Sequence, residues 1–153
     1  MKISAIGINF IKKEESFIAA PYLDAVGVPT IGYGTTVYEN GKKVTMKDFP
    51  ITERRASELL ANMLIGYEAA VNKAVKKPIN QNQFDALVSF AYNVGKAGMT
   101  GSSLVKRINV DPLHSEIPYW FSVWCKGTIK GKKVVLPGLV KRRKRESDLY
   151  FKK

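Results

Sequence analysis

What this chain has least of is thiol and imidazole. Among 153 residues there is one cysteine, Cys125, and one histidine, His114. A lone cysteine cannot close an intramolecular disulfide, which fits synthesis in a reducing compartment. A catalytic zinc site takes three His, Cys or carboxylate ligands, so this composition argues against a His-rich metallopeptidase or amidase. A Cys-His nucleophile pair is formally available, but Cys125 follows Trp124 in an apolar stretch and reads as an inert core thiol. Long hydrophobic runs are missing too. The segment Ile3 to Ile11 is interrupted by Asn9 and leads into Lys12-Lys13-Glu14-Glu15 without a small-residue cleavage site, so neither a membrane-spanning helix nor a cleaved signal peptide is expected.

Acidic residues are scarce as well, 13 against 25 Lys and Arg, giving a net charge of +12. The imbalance is local. Residues 126–153 carry 11 basic and 2 acidic side chains, net +9, whereas residues 1–125 carry 14 and 11, net +3. Such a segment suits a polyanion or an anionic envelope surface, or is a solvated helix face. No helix-turn-helix or aromatic RNA-binding signature accompanies it, which argues against nucleic acid as a partner. With 45% hydrophobic and 25% charged residues the chain is too apolar for disorder and has the length of a single domain.

Periodicity supplies the architecture. Ser4 caps a first helix with Ile8 and Ile11 on its inner face, ending near Glu14-Glu15. Between Ala20 and Val44 the chain turns rich in Tyr, Val, Thr and Gly, and Asn40-Gly41 between two short runs signals a hairpin. A small antiparallel sheet of about three strands is expected there. From Thr52, apolar residues from Ala56 to Ala74 recur at helical spacing and predict a helix of about 24 residues stopping before Pro78. Asn80 with Gln83 reads as a capping box for the next helix, which runs to Gly95. Further helices are expected from Ser102, over Pro118 to Trp124, and from Pro137 to about Phe151. The fold class is therefore α+β, one domain over 1–153. An N-terminal helix and β lobe (about 1–51) is joined by a long helix (about 52–77) to a helical lobe (about 78–153), a layout that leaves a cleft.

With thiols, imidazole and metals set aside, carboxylates remain as acid-base groups. Glu15 ends the first helix and Asp24 stands at the first hairpin turn. Paired carboxylates serve glycoside hydrolysis, one protonating the leaving oxygen and the other activating water or stabilising positive charge. Thr30, six residues after Asp24, offers a hydroxyl for that water. Spacing alone also suits surface groups flanking a turn.

At these residues the chain resembles a known family. Glu15, Asp24 and Thr30, set in Tyr22-Leu23-Asp24-Ala25-Val26-Gly27-Val28-Pro29-Thr30-Ile31-Gly32-Tyr33-Gly34, resemble the phage-type lysozymes, the endolysins of glycoside hydrolase family 24. The likeness continues through Asn80 to Gly95, Ser102-Ser103-Leu104, and Pro137-Gly138-Leu139-Val140-Lys141-Arg142-Arg143 with Glu146 and Leu149. It implies a lysozyme-like fold that hydrolyses the β-1,4 bond between N-acetylmuramic acid and N-acetylglucosamine in bacterial peptidoglycan. Glu15 is the implied general acid, Asp24 the base that orients water, and Thr30 the hydroxyl that helps hold it. Glu14 is the rival to Glu15, but adjacent helical residues point about 100° apart, and the family spacing selects Glu15. Glu14 is then a solvated charge.

Tyr92, Asn93 and Ser103 match family positions that contact sugar, while Trp120, Phe121 and Trp124 read as bundle core. The resemblance implies an inverting route, with carboxyls about 6.5 to 9.5 Å apart, and neither metal nor organic cofactor. A monomer is expected, and by family analogy it waits in the host cytoplasm until a holin opens the inner membrane. Two positions depart from the family pattern: Ser16 stands where many members have Gly, and Thr35 where many have His. The first is expected to matter little, the second to affect sheet stability more than catalysis. A lytic transglycosylase is the rival enzyme class; it needs no water-holding Asp and Thr.

Overall fold

The computed structural model describes all residues, Met1–Lys153. Seven helices and two small antiparallel sheets follow one another, confirming the α+β class. The chain forms two compact units, one of Ile8–Gly66 and one of Met1–Gly7 with Tyr67–Lys153. Helices α1 (Ala5–Glu15) and α2 (Glu53–Ala74) each have residues in both.

In the unit of Ile8–Gly66, α1 is followed by β1 (Ile18–Leu23) and β2 (Pro29–Gly32), paired antiparallel. The register slips between Ile18 and Tyr22, so β1 is irregular over the stretch that contains Pro21. Such an irregularity is where a strand tolerates proline, which has no N–H to give a ladder. Gly32 has φ +67, and a Cβ there would stand 3.0 Å from that of Ala56, so glycine allows both the backbone turn and close approach to α2. Ile11, Ile31, Tyr33, Val44, Ala56, Leu59, Leu60 and Leu64 make this unit's core.

The expected third strand is absent as a strand. Around Asn40-Gly41 only the single bridge Val37↔Lys43 forms, with Asn40 Oδ1 accepting from the Lys42 amide at 2.9 Å. The turn signal is correct, but its arms are too short to sustain a ladder.

The other unit is built around α3 (Gln81–Val94), which is buried from Gln83 to Ala91, as expected of a central helix rather than an amphipathic one. Its capping box is present: Asn80 Oδ1 accepts from the Gln83 amide, and Gln83 Oε1 from the Asn80 amide. Helices α4 (Lys96–Gly101), α5 (Ser103–Val110), α6 (Ile117–Ser122) and α7 (Pro137–Tyr150) complete the unit, with Ser102 capping α5 through the Val105 amide. Phe121 is fully buried, edge-on to Phe90, and Trp124 meets the same ring at 5.6 Å, as their spacing indicated, whereas Trp120, expected in the core with them, is only half-buried and lies edge-on to exposed Tyr119.

Sequence reading missed the hairpin of β3 (Lys126–Ile129) and β4 (Lys132–Val135). Its two-residue turn has positive φ at Lys130 (49°) and Gly131 (76°), the combination a tight hairpin with right-handed twist requires. The signal was present in Lys130-Gly131 flanked by Thr128-Ile129 and Val134-Val135, but four lysines masked it as solvated tail.

Candidate active site

Glu15 is the last residue of α1, and the backbone reverses directly after it. Ser16 has φ +60 and donates its amide to the Lys12 carbonyl at 3.0 Å, the left-handed closure that glycine usually provides. The Gly-to-Ser departure thus falls on the one residue at this helix end where a side chain is strained, by about 1 kcal/mol. Ser16 therefore matters to stability more than its sequence position suggested.

Asp24 follows β1 and organises the turn to β2. Its Oδ1 accepts the amides of Val26 and Val28, both at 2.9 Å, and its own amide donates to the Val28 carbonyl at 3.0 Å. The carboxylate is held by its own loop, while Oδ2 enters no hydrogen bond. Thr30, on β2, is buried, and its hydroxyl donates to the Val28 carbonyl at 2.9 Å. With its proton committed, Thr30 Oγ1 can take part in a further hydrogen bond only as an acceptor.

Tyr22 ties these groups together. It is the register partner of Thr30, and directly opposed residues of an antiparallel pair put their side chains on one face. Burial pushes the Tyr22 phenol up from its ordinary value, and the negative charges of Glu15 and Asp24 push it further. Both carboxylates therefore act electrostatically on one phenol, that of the residue paired in register with Thr30. Glu14, expected to be solvated, is half-buried.

Tyr92, Asn93 and Ser103 belong to the other unit. Tyr92 and Asn93 close α3; Tyr92 stacks edge-on against Tyr67 at 5.2 Å, and Asn93 Oδ1 accepts from the Arg143 guanidinium. Ser103 is exposed at the first turn of α5 and lines a cavity of about 290 Å³ with Lys106, Arg107, Val110 and Trp120. No group of three or more His, Cys, Asp or Glu side chains stands close enough together to hold a metal ion. Sequence reading overlooked Tyr22 and Arg143; the Tyr22–Thr30 pairing follows from counting back across the Asp24 turn.

Known proteins share this arrangement of the chain. The family model described as phage lysozyme matches residues 12–146. The chain is 37% identical over 151 residues to the endolysin of Salmonella phage P22, with 99% of each chain covered. Among solved structures it is similar to an endolysin from Escherichia coli O157:H7 phage FAHEc1, at TM-score 0.93 and 42% identity, covering 99% of this chain and 94% of that one. The muramidase domain of SpmX from Asticcacaulis excentricus superposes at TM-score 0.86 and 31% identity, covering 99% of both chains.

Proposed function

The chain belongs to the phage lysozyme family and is a peptidoglycan-hydrolysing glycosidase; on that premise we propose that it cuts the β-1,4 bond between N-acetylmuramic acid and N-acetylglucosamine, with Glu15 as general acid and a water held by Asp24 and Thr30 as nucleophile. The observation that carries this reading is the turn between β1 and β2, where two loop amides hold Asp24 Oδ1 and the Thr30 hydroxyl has its proton committed to the Val28 carbonyl.

The hydrogen bonds at the turn define what such a water does. Asp24 Oδ1 is occupied by two amides and Thr30 has donated its proton, so both Asp24 Oδ2 and Thr30 Oγ1 act as acceptors. A water between them donates one hydrogen to each and turns a lone pair outward, toward the anomeric carbon. As that lone pair forms the new C–O bond, the water's proton passes to Asp24. The glycosidic C–O bond breaks and Glu15 protonates the departing oxygen, leaving a reducing end of inverted configuration. A lytic transglycosylase has no use for a water site of this kind; its anhydro product is lighter by one water. Tyr92, Asn93 and Ser103 are assigned to sugar contact.

The family acts on the cell wall, and we place this enzyme, as a monomer, in the host cytoplasm until a holin opens the inner membrane. No helix is long and apolar enough to cross a membrane. Export of the protein expressed alone, without a holin, would count against this placement. The basic C-terminal segment is assigned to contact with anionic envelope surfaces.

The test is clearing of outer-membrane-permeabilised bacteria by wild type and by Glu15→Gln, which keeps the shape of the side chain but removes its transferable proton. We expect the variant to fold normally and to lose about 10²- to 10⁴-fold in rate. Equal clearing by both proteins refutes the assignment.

A further inference from the structure

The Tyr22 hydroxyl has no role in holding the protein together. It enters no hydrogen bond within the chain, although the side chain is half-buried. A half-buried phenol whose O–H still reaches solvent hydrogen-bonds to water there, and a ligand that covers it gains by supplying an acceptor in that water's place. The other raised tyrosines of this unit bond within the chain: Tyr33 donates to Glu53 at 2.8 Å and Tyr38 to Asp48 at 2.7 Å. Tyr22 alone among these three keeps its donor uncommitted.

Its placement explains why. The turn at Asp24 pairs Leu23 with Pro29 and Tyr22 with Thr30, so Tyr22 stands directly opposite Thr30, two residues before Asp24. Whatever sugar brings its glycosidic oxygen to Glu15 and its anomeric carbon to the Asp24–Thr30 water must lie against this ring. A carbohydrate offers what the site lacks: hydroxyl and amide oxygens to accept the phenolic proton, and a C–H face to cover the ring.

We propose that Tyr22 is a substrate-contacting residue, whose phenol donates a hydrogen bond to the sugar carrying the scissile bond and whose ring supports that sugar between Glu15 and the water site. The inference rests on the lysozyme reading. The phenol remains a neutral donor throughout the pH range in which such an enzyme works, because burial and two nearby negative charges oppose its ionisation.

The experiment compares wild type, Tyr22→Phe and Glu15→Gln in three measurements: thermal unfolding, wall-clearing kinetics, and affinity for a soluble wall glycan fragment, the last with Tyr22→Phe also placed in the Glu15→Gln background. Tyr22→Phe removes only the hydroxyl, which has no internal partner, so the unfolding temperature should stay unchanged. Glycan affinity should fall about fivefold, the loss of one ordinary hydrogen bond, with KM raised more than kcat is lowered. Unchanged affinity and kinetics overturn the inference, and so does a loss that merely follows a lowered unfolding temperature. An active Glu15→Gln would instead indict the lysozyme mechanism, so the two failures are distinguishable.

Discussion

Thr35 shows how much one hydroxyl can matter. The residue is fully buried, its backbone pairs with Ile31, and its Oγ1 has no hydrogen-bond partner. The sequence marked this position as a departure from the family pattern, but the cost arises from burial and partnering, which no local pattern reveals. Thr35→Val exchanges that hydroxyl for a methyl of similar shape, and we expect it to stabilise the protein by about 1 kcal/mol in denaturant unfolding, with activity retained. Tyr38 is the opposite case. Its phenol, pushed up from 10 to about 12 by burial and by the hydrogen bond to Asp48, is well satisfied. Because the folded value lies above the unfolded one, the neutral phenol's contribution is complete below pH 10 and is lost as pH rises through about 12. Asp48 is held below its ordinary range by the Thr45 amide and hydroxyl and, after them, by this bond, so its contribution is present above the usual carboxylate value and is lost in acid. Tyr38→Phe should therefore flatten the alkaline fall in stability between pH 10 and 12, read from unfolding temperature at stepped pH.

At the level of elements, α7 differs most from its sequence. Read as part of a basic tail, it instead places Arg142, Arg143 and Glu146 in the core. Glu146 pairs with both guanidinium groups at 3.1 Å and accepts from Ser89 of α3 at 2.8 Å, while Arg143 lies over the Phe90 ring and reaches Asn93. Burial pushes the Glu146 carboxyl up, against the pull of Arg143 and Arg142. Glu146→Gln strands two buried cations and should cost about 3 kcal/mol in denaturant unfolding. Lys144→Gln, which breaks only the exposed pair with Asp148, should cost less than about 1 kcal/mol. Similar losses in the two variants would mean that the buried triad does not pin α7. The capping box of α3 was legible because it is a contact between residues three apart. The roles of Arg142 and Arg143 were not, because they depend on Ser89 and Asn93, some fifty residues earlier. Glu15, Asp24 and Thr30 were nameable from their spacing and family likeness. Tyr22 became visible only once the turn at Asp24 fixed Thr30 as its partner.

For the whole molecule, the buried triad changes what the net charge means. Of the 11 basic residues after Cys125, Arg142 and Arg143 are internal, leaving 11 − 2 = 9 at the surface, with Asp148 the only exposed acid beside them. Four of the nine, Lys126, Lys130, Lys132 and Lys133, sit on the β3–β4 hairpin, which contains no acidic residue. Neutralising Lys141 through Arg145 would therefore be a poor test of envelope binding, because it also removes the core arginines. Replacing the four hairpin lysines with Gln avoids that confusion, since all four are exposed and none is in an ion pair. If the segment gathers the enzyme on anionic envelopes, binding of wild type to intact envelopes should fall steeply between low and physiological salt, where the screening length shrinks to about 8 Å. The four-lysine variant should bind more weakly at low salt and show a shallower dependence, with unfolding temperature and hydrolysis of soluble wall fragments unchanged. An identical salt dependence in variant and wild type would reduce the hairpin to a solvated wing, leaving wall affinity to the sugar contacts alone.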